Sequence, residues 1–143
     1  MSQAVVRAAG LVVYRKVSGK VEFLLLQASY PPHHWTPPKG HVDPGEDEWT
    51  AAIRETSEEA NLSKDQLTIH EDCHETLYYT ANGKPKSVKY WLALLNNPLD
   101  VKLSHEHQNW KWADLEEAIR VADYAEMGQL LRKFHDFIEK NKN

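Results

Sequence analysis

A single cysteine, no apolar run long enough to cross a membrane and no surplus of basic residues set the first limits on this chain of 143 residues. Cys73 has no partner for an internal disulfide, and no motif of an activated thiol surrounds it, so it reads as a packed or incidental residue. The N-terminal stretch has no apolar signal core, and the expectation is no membrane association and residence in the cytoplasm, with access to the nucleus. With 17 Lys and Arg against 21 Asp and Glu, the net charge is −4. A protein that grips long nucleic acid neutralises phosphates with a basic face, so no stable nucleic-acid complex is expected. A short charged ligand stays open. The Gly-rich phosphate loop of the GxxxxGK type is missing too, so a backbone cradle is not available for phosphate. Repeats and low-complexity stretches are absent, and the length suits one domain over residues 1–143, expected to be a monomer.

What is present reads as alternating strands and helices. Ala4–Tyr14 and Val21–Ala28 are apolar and β-branched runs separated by a turn, and both predict strands. Leu67–Tyr79 and Val88–Leu95 predict two more, joined by a polar turn from Thr80 to Ser87, and Trp110–Ala113 predicts a short one. The stretch YPPHHWTPPKG, ending at Gly40, predicts irregular structure, the kind of loop that carries function on a scaffold. Leu115–Ala122 and a stripe of Met127, Leu130, Leu131, Phe134, Phe137 and Ile138 predict two closing helices. Strands around an internal helix with two helices at the end suggest an α/β protein whose mixed sheet is covered on both faces.

The internal helix carries the chemistry. Between Gly40 and Leu62 the chain reads GHVDPGEDEWTAAIRETSEEANL, and a helix over roughly 47–60 projects Glu55, Glu58 and Glu59 within one sector. Trp49, Ala52, Ile53, Thr56 and Ala60 fall on the opposite, apolar stripe. Like charges at i, i+4 cost a few tenths of a kcal/mol, so a cation is expected to neutralise them, with Mg²⁺ the first candidate and Mn²⁺ the second. A run of Glu on a helix is, taken alone, more often a solvated face. Asp43, Pro44 and Gly45 lead in as turn formers, and Asn61 is placed to close the helix in the left-handed conformation.

The spacing of Gly40, Glu46 and Arg54-Glu55-Thr56-Ser57-Glu58-Glu59 resembles the signature of the Nudix hydrolases. Two positions depart from it: Asn61 replaces the final glycine and Thr56 an aliphatic residue, and no carboxylate is lost. The resemblance implies an α/β/α sandwich with a mixed β-sheet, in which a loop-helix-loop motif binds divalent metal beside a polyphosphate. It implies Glu55, Glu58 and Glu59 as catalytic metal ligands, without separating base from ligand. Glu46 and Arg54 then serve the motif's structure, Arg54 by orienting acids. A further acid from a downstream loop often joins the metals in this family, and Glu106 in LSHEHQ is placed for it, with Asp100 and Asp114 as weaker rivals.

A finer resemblance, through FLLLQAS, HHWTPPKGHVDPGE, KPKSVKYWLA and LSHEHQ, is to the animal-type enzymes of that family that cleave diadenosine tetraphosphate to ATP and AMP. It implies a small dinucleoside polyphosphate as partner, with His34, Lys39, Gly40 and Lys86 around the phosphate chain. Tyr79 and Tyr124 become the candidate platform for adenine, since stacking on an aromatic ring is worth about 1–3 kcal/mol per base. Trp35 is expected to pack. His41 is a lesser candidate for a substrate contact, whereas His33, His70, His74 and His135 are expected to be structural or exposed. Rival readings are sibling hydrolases of nucleoside triphosphates, capped RNA or diphosphoinositol phosphates, and an inactive binding module, whose usual mark would be loss of these acids.

Overall fold

The computed structural model describes residues 6–28, 33–81, 83–98, 109–122 and 124–141. Among the described residues, seven strands form one sheet: β1 (Val6–Val17), β2 (Lys20–Gln27), β3 (Trp35–Thr36), β4 (Lys39–His41), β5 (Leu67–Ala81), β6 (Lys84–Leu95) and β7 (Asn109–Ala113). The helices are α1 (Glu48–Ala60), α2 (Leu115–Ala122) and α3 (Ala125–Lys140). The sheet is mixed because β1 runs parallel to β6 and antiparallel to β2 and β4.

Side chains alternate across each strand, and here both faces are apolar. Ala9, Leu11 and Val13 of β1, with Leu24, Leu26, Trp91, Ala93 and Leu95, pack against Ala51, Ala52 and Ala60 of α1. The neighbours Ala8, Val12 and Tyr14, with Phe23, Leu25, Val88, Tyr90 and Leu92, pack against Met127, Leu130, Leu131, Phe134 and Ile138 of α3 and Ala118 of α2. Helix, sheet and helices therefore stack as an α/β/α sandwich.

The stretch read as irregular up to Gly40 differs from expectation, since β3 and β4 lie inside it. The reason is tertiary. β1 and β2 pair only from Tyr14–Phe23 to Val17–Lys20 and then diverge. β4 takes up the freed edge of β1 at Ala8–Gly10, and β3 that of β2 at Leu26–Gln27. Pro37 and Pro38 between them have no N–H to satisfy. The expected turn Thr80–Ser87 is shorter as well: the β5/β6 ladder continues to Ala81–Lys84, with Gly83 beside it at φ 76°. Lys84, Pro85 and Lys86 are therefore strand residues.

At the end of α1, Asn61 takes φ 57° and ψ 35°, and its N–H donates to the Ser57 carbonyl at 3.0 Å. Leu62 is then buried against the last turn. Thr56 is fully buried, and its hydroxyl donates to the Ala52 carbonyl at 2.8 Å, which satisfies the polar atom that replaces an aliphatic side chain. Ala51 joins the buried stripe, while Trp49 and Ile53 are half-buried.

Candidate active site

The loop into α1 is built around one guanidinium. Arg54 donates from Nε to Glu46 at 2.8 Å and from Nη2 to the other Glu46 oxygen at 2.9 Å, a bidentate pair. Its Nη2 also donates to the His41 carbonyl at 3.0 Å and lies 3.3 Å from Asp43, while Nη1 reaches Glu55 at 3.1 Å and Glu58 at 3.1 Å. Glu46 further accepts from the Asp43 N–H at 3.0 Å. Hydrogen bonds from Arg54, then from Asp43, bring the Glu46 carboxyl down to about 2. Asp47 caps the helix by accepting from the Thr50 N–H at 2.7 Å.

The three helix acids differ in environment. The Glu55 side chain is 14% exposed, and burial pushes its pKa up against the opposing pull of Arg54. Glu58, at 53%, extends into solvent alongside Arg54. Glu59 is half-buried and close enough for its charge to act on Lys39. Gly40 explains how Glu55 fits: a Cβ at Gly40 would overlap the Glu55 carboxylate. Among the described residues, no three Asp, Glu, His or Cys side chains are drawn together into a ready metal cage. Glu55 and Glu58 converge on Arg54 instead. Glu106, and the rival Asp100, lie outside the described residues. Asp114 is displaced from the site and caps α2, accepting from the Glu117 N–H at 2.9 Å and pairing with Lys20 at 3.5 Å.

Next to the acids lies a cationic cluster. Burial and the neighbouring Lys86 bring Lys39 down to about 8, although Glu59 and Glu55 pull the other way. His41 is lowered by desolvation and by Lys86 and Lys39. Two lysines held together against their repulsion make a strong attractor for a polyanion. His34 is exposed, its carbonyl accepting from the Ala28 N–H at 2.9 Å, and no contact among the described residues brings it to the lysines.

Lys86 leads on to the aromatic pair. Its Nζ lies 5.9 Å from the centre of the Tyr79 ring, and the Tyr79 and Tyr124 centroids are 6.5 Å apart at 59°. Planar groups in contact lie about 3.5–4.0 Å apart, so a base between two rings needs roughly 7 Å and parallel planes. At this distance and tilt the two rings touch each other, so a base enters between them only after they separate and turn parallel. Both rings are half-buried against the core that includes Tyr90, which the sequence did not single out because an apolar strand hides it. Trp35 packs on that core, with the Lys111 ammonium 5.1 Å from its ring centre. Among the other described histidines, His33 is bonded through Nδ1 to the Ala28 carbonyl at 3.0 Å, His70 to the Tyr14 hydroxyl at 2.8 Å, His74 lies 6.1 Å from the Trp91 ring and His135 lies 3.7 Å from Glu139; His105 and His107 lie outside the described residues.

The chain belongs to the Nudix family: the family model described as NUDIX domain matches residues 5–134. It is 81% identical over 134 residues to the asymmetrical bis(5'-nucleosyl)-tetraphosphatase of Caenorhabditis elegans, covering 94% of this chain and 97% of that protein. The Mus musculus protein of the same description is 47% identical over 139 residues, with 92% and 95% covered. Among solved structures, a binary complex of C. elegans Ap4A hydrolase superposes with a TM-score of 0.92 at 80% identity, covering 95% of this chain and 99% of that one.

Proposed function

We propose that this protein hydrolyses diadenosine tetraphosphate asymmetrically, to ATP and AMP. The observation that carries the reading is the order of groups along the site. Acids on α1 adjoin Lys39, Lys39 adjoins Lys86, and Lys86 adjoins Tyr79 and its partner Tyr124. That order matches a phosphate chain that ends in a base.

Glu55, Glu58 and Glu59 offer only oxygen donors, the kind a hard divalent cation takes, and would draw together to hold one, with Gly40 leaving room for the Glu55 carboxylate. Mg²⁺ is the inferred ion, with Mn²⁺ able to replace it, and Glu106 would complete the set. When bound, the cation supplies charge neutralisation on phosphate oxygens and a more acidic water. Arg54 keeps Glu55 and Glu58 aimed to one side and ties them to Glu46. Lys39 and Lys86 hold the phosphate chain and offset its charge, which otherwise repels an attacking water. Gly40 borders that path, His34 is assigned to the phosphate chain by the family resemblance alone, and Tyr79 and Tyr124 hold the adenine. The oxygen of water bonds to the phosphorus at one end of the bridge, and the bridging oxygen leaves with the ATP.

Product analysis in water enriched in heavy oxygen tests this across dinucleoside polyphosphates, nucleoside triphosphates and capped RNA. The expected result is preference for diadenosine tetraphosphate, with ATP and AMP formed and the label in AMP. Two molecules of ADP, or faster turnover of another substrate class, would overturn it. Glu59→Gln should lower turnover by about a hundredfold or more at unchanged circular dichroism, because it removes a charge at nearly constant volume.

A further inference from the structure

Gly10 stands at the crossing of two ladders, opposite Lys39 of β4 on one side and opposite Tyr90 of β6 on the other. Its backbone is not in the left-handed region, so conformation does not require glycine here. Space does. A Cβ on Gly10 would lie 2.6 Å from Lys39 Cβ and 2.9 Å from Lys39 Cα, and would overlap the Pro38 carbonyl oxygen. These are largely backbone atoms of a docked segment. Pro38 is buried, and its carbonyl accepts the Leu11 N–H at 3.2 Å. The packing of the three-residue strand β4 thus depends on two glycines: Gly10 lets it close on β1, and Gly40, within β4 itself, lets the Glu55 carboxylate close on it.

β4 and β6 flank β1, with Lys39 opposite Gly10 and Lys86 opposite Val6, so two strand spacings of about 4.8 Å across and four residues of about 3.3 Å along β1 set their backbones roughly 16 Å apart, and the two ammonium groups can meet only by reaching toward each other over the face of β1. The depth at which β4 sits on β1 therefore decides whether the Lys39 ammonium reaches Lys86. We infer that Gly10 is a positioning residue for substrate binding: by lacking a side chain it seats Pro38 and Lys39 against β1, so that the two ammonium groups share one site for the phosphate chain. The inference rests on reading Lys39 and Lys86 as phosphate contacts.

The test uses Gly10→Ala, Lys39→Ala and the double variant in the full chain with Mg²⁺. Gly10→Ala should fold cooperatively, raise KM for diadenosine tetraphosphate about tenfold and leave kcat within about threefold, and the double variant should be no worse than Lys39→Ala alone. An NMR titration of the Lys39 side chain should show its pKa rising in Gly10→Ala as the ammonium leaves Lys86, a change that a general loss of stability does not produce. Unchanged KM, additive penalties in the double variant or an unmoved Lys39 titration would each overturn the inference. So would a Gly10→Ala chain that fails to fold, which would place Gly10 in core packing. If the Lys39 titration moves but Lys39→Ala leaves KM unchanged, the phosphate reading of Lys39 fails while the seating by Gly10 stands.

Discussion

Lys39 shows how an ionisable side chain in this site responds to its neighbours. An ordinary lysine titrates near 10.5, whereas burial and Lys86 bring Lys39 down to about 8. The sign of the stability effect follows. Between about 8 and 10.5 the folded protein has released a proton that the unfolded chain still holds, so Lys39 makes stability rise with pH over that window. Binding changes in the opposite sense, since neutral Lys39 no longer attracts phosphate. KM for diadenosine tetraphosphate should therefore climb as pH passes through about 8, and Lys39→Met should flatten that limb of the profile. A wild-type KM that stays constant from pH 7 to 9.5 would remove Lys39 from the phosphate path. At the aromatic end, Tyr124→Ala should weaken binding by about 1–3 kcal/mol, read as KM, with little change in kcat if stacking is its contribution.

At the scale of elements, α1 is defined at both ends by local chemistry. Asp47 caps its N-terminus and Asn61 closes its C-terminus in the left-handed conformation, which costs an L-residue about 1–2 kcal/mol and Asn somewhat less than most. Asn61→Gly should relieve part of that strain, offset by the greater freedom of glycine in the unfolded chain, for a net gain of about 0.5 kcal/mol. A thermal melt showing Asn61→Gly clearly less stable than wild type would refute this. Much of α1 was legible from residues 47–62 alone, because cap, apolar stripe and acidic stripe are all local. The short strands β3 and β4 were not. They consist of two and three residues, and they are strands only because β1 and β2 diverge and leave edges for them to pair with.

For the whole molecule, the sheet carries a separate core on each face, and the site depends on both. Phe134 of α3 is buried in the core against which Tyr79 and Tyr124 rest. Phe134→Ala should cost about 3–5 kcal/mol in a denaturant titration, and KM should rise with it as the tyrosine pair loses its support. A loss below about 1 kcal/mol would mean that the α3 face is loosely packed. The sequence by itself determined the layer order, through strands apolar on both faces and helices apolar on one, and it determined the acidic face of α1, through 3.6-residue periodicity. Local spacing already placed Arg54 to orient Glu55 and Glu58, and the tertiary structure added the bidentate pair with Glu46 and the bond to the His41 carbonyl that close the loop on the same guanidinium. Only the tertiary structure brought Lys39 beside Lys86 and showed that Gly10 and Gly40 are required for the room they leave. The physical reason is range: periodicity and caps act within a few residues, whereas these contacts depend on how deeply one strand docks on another.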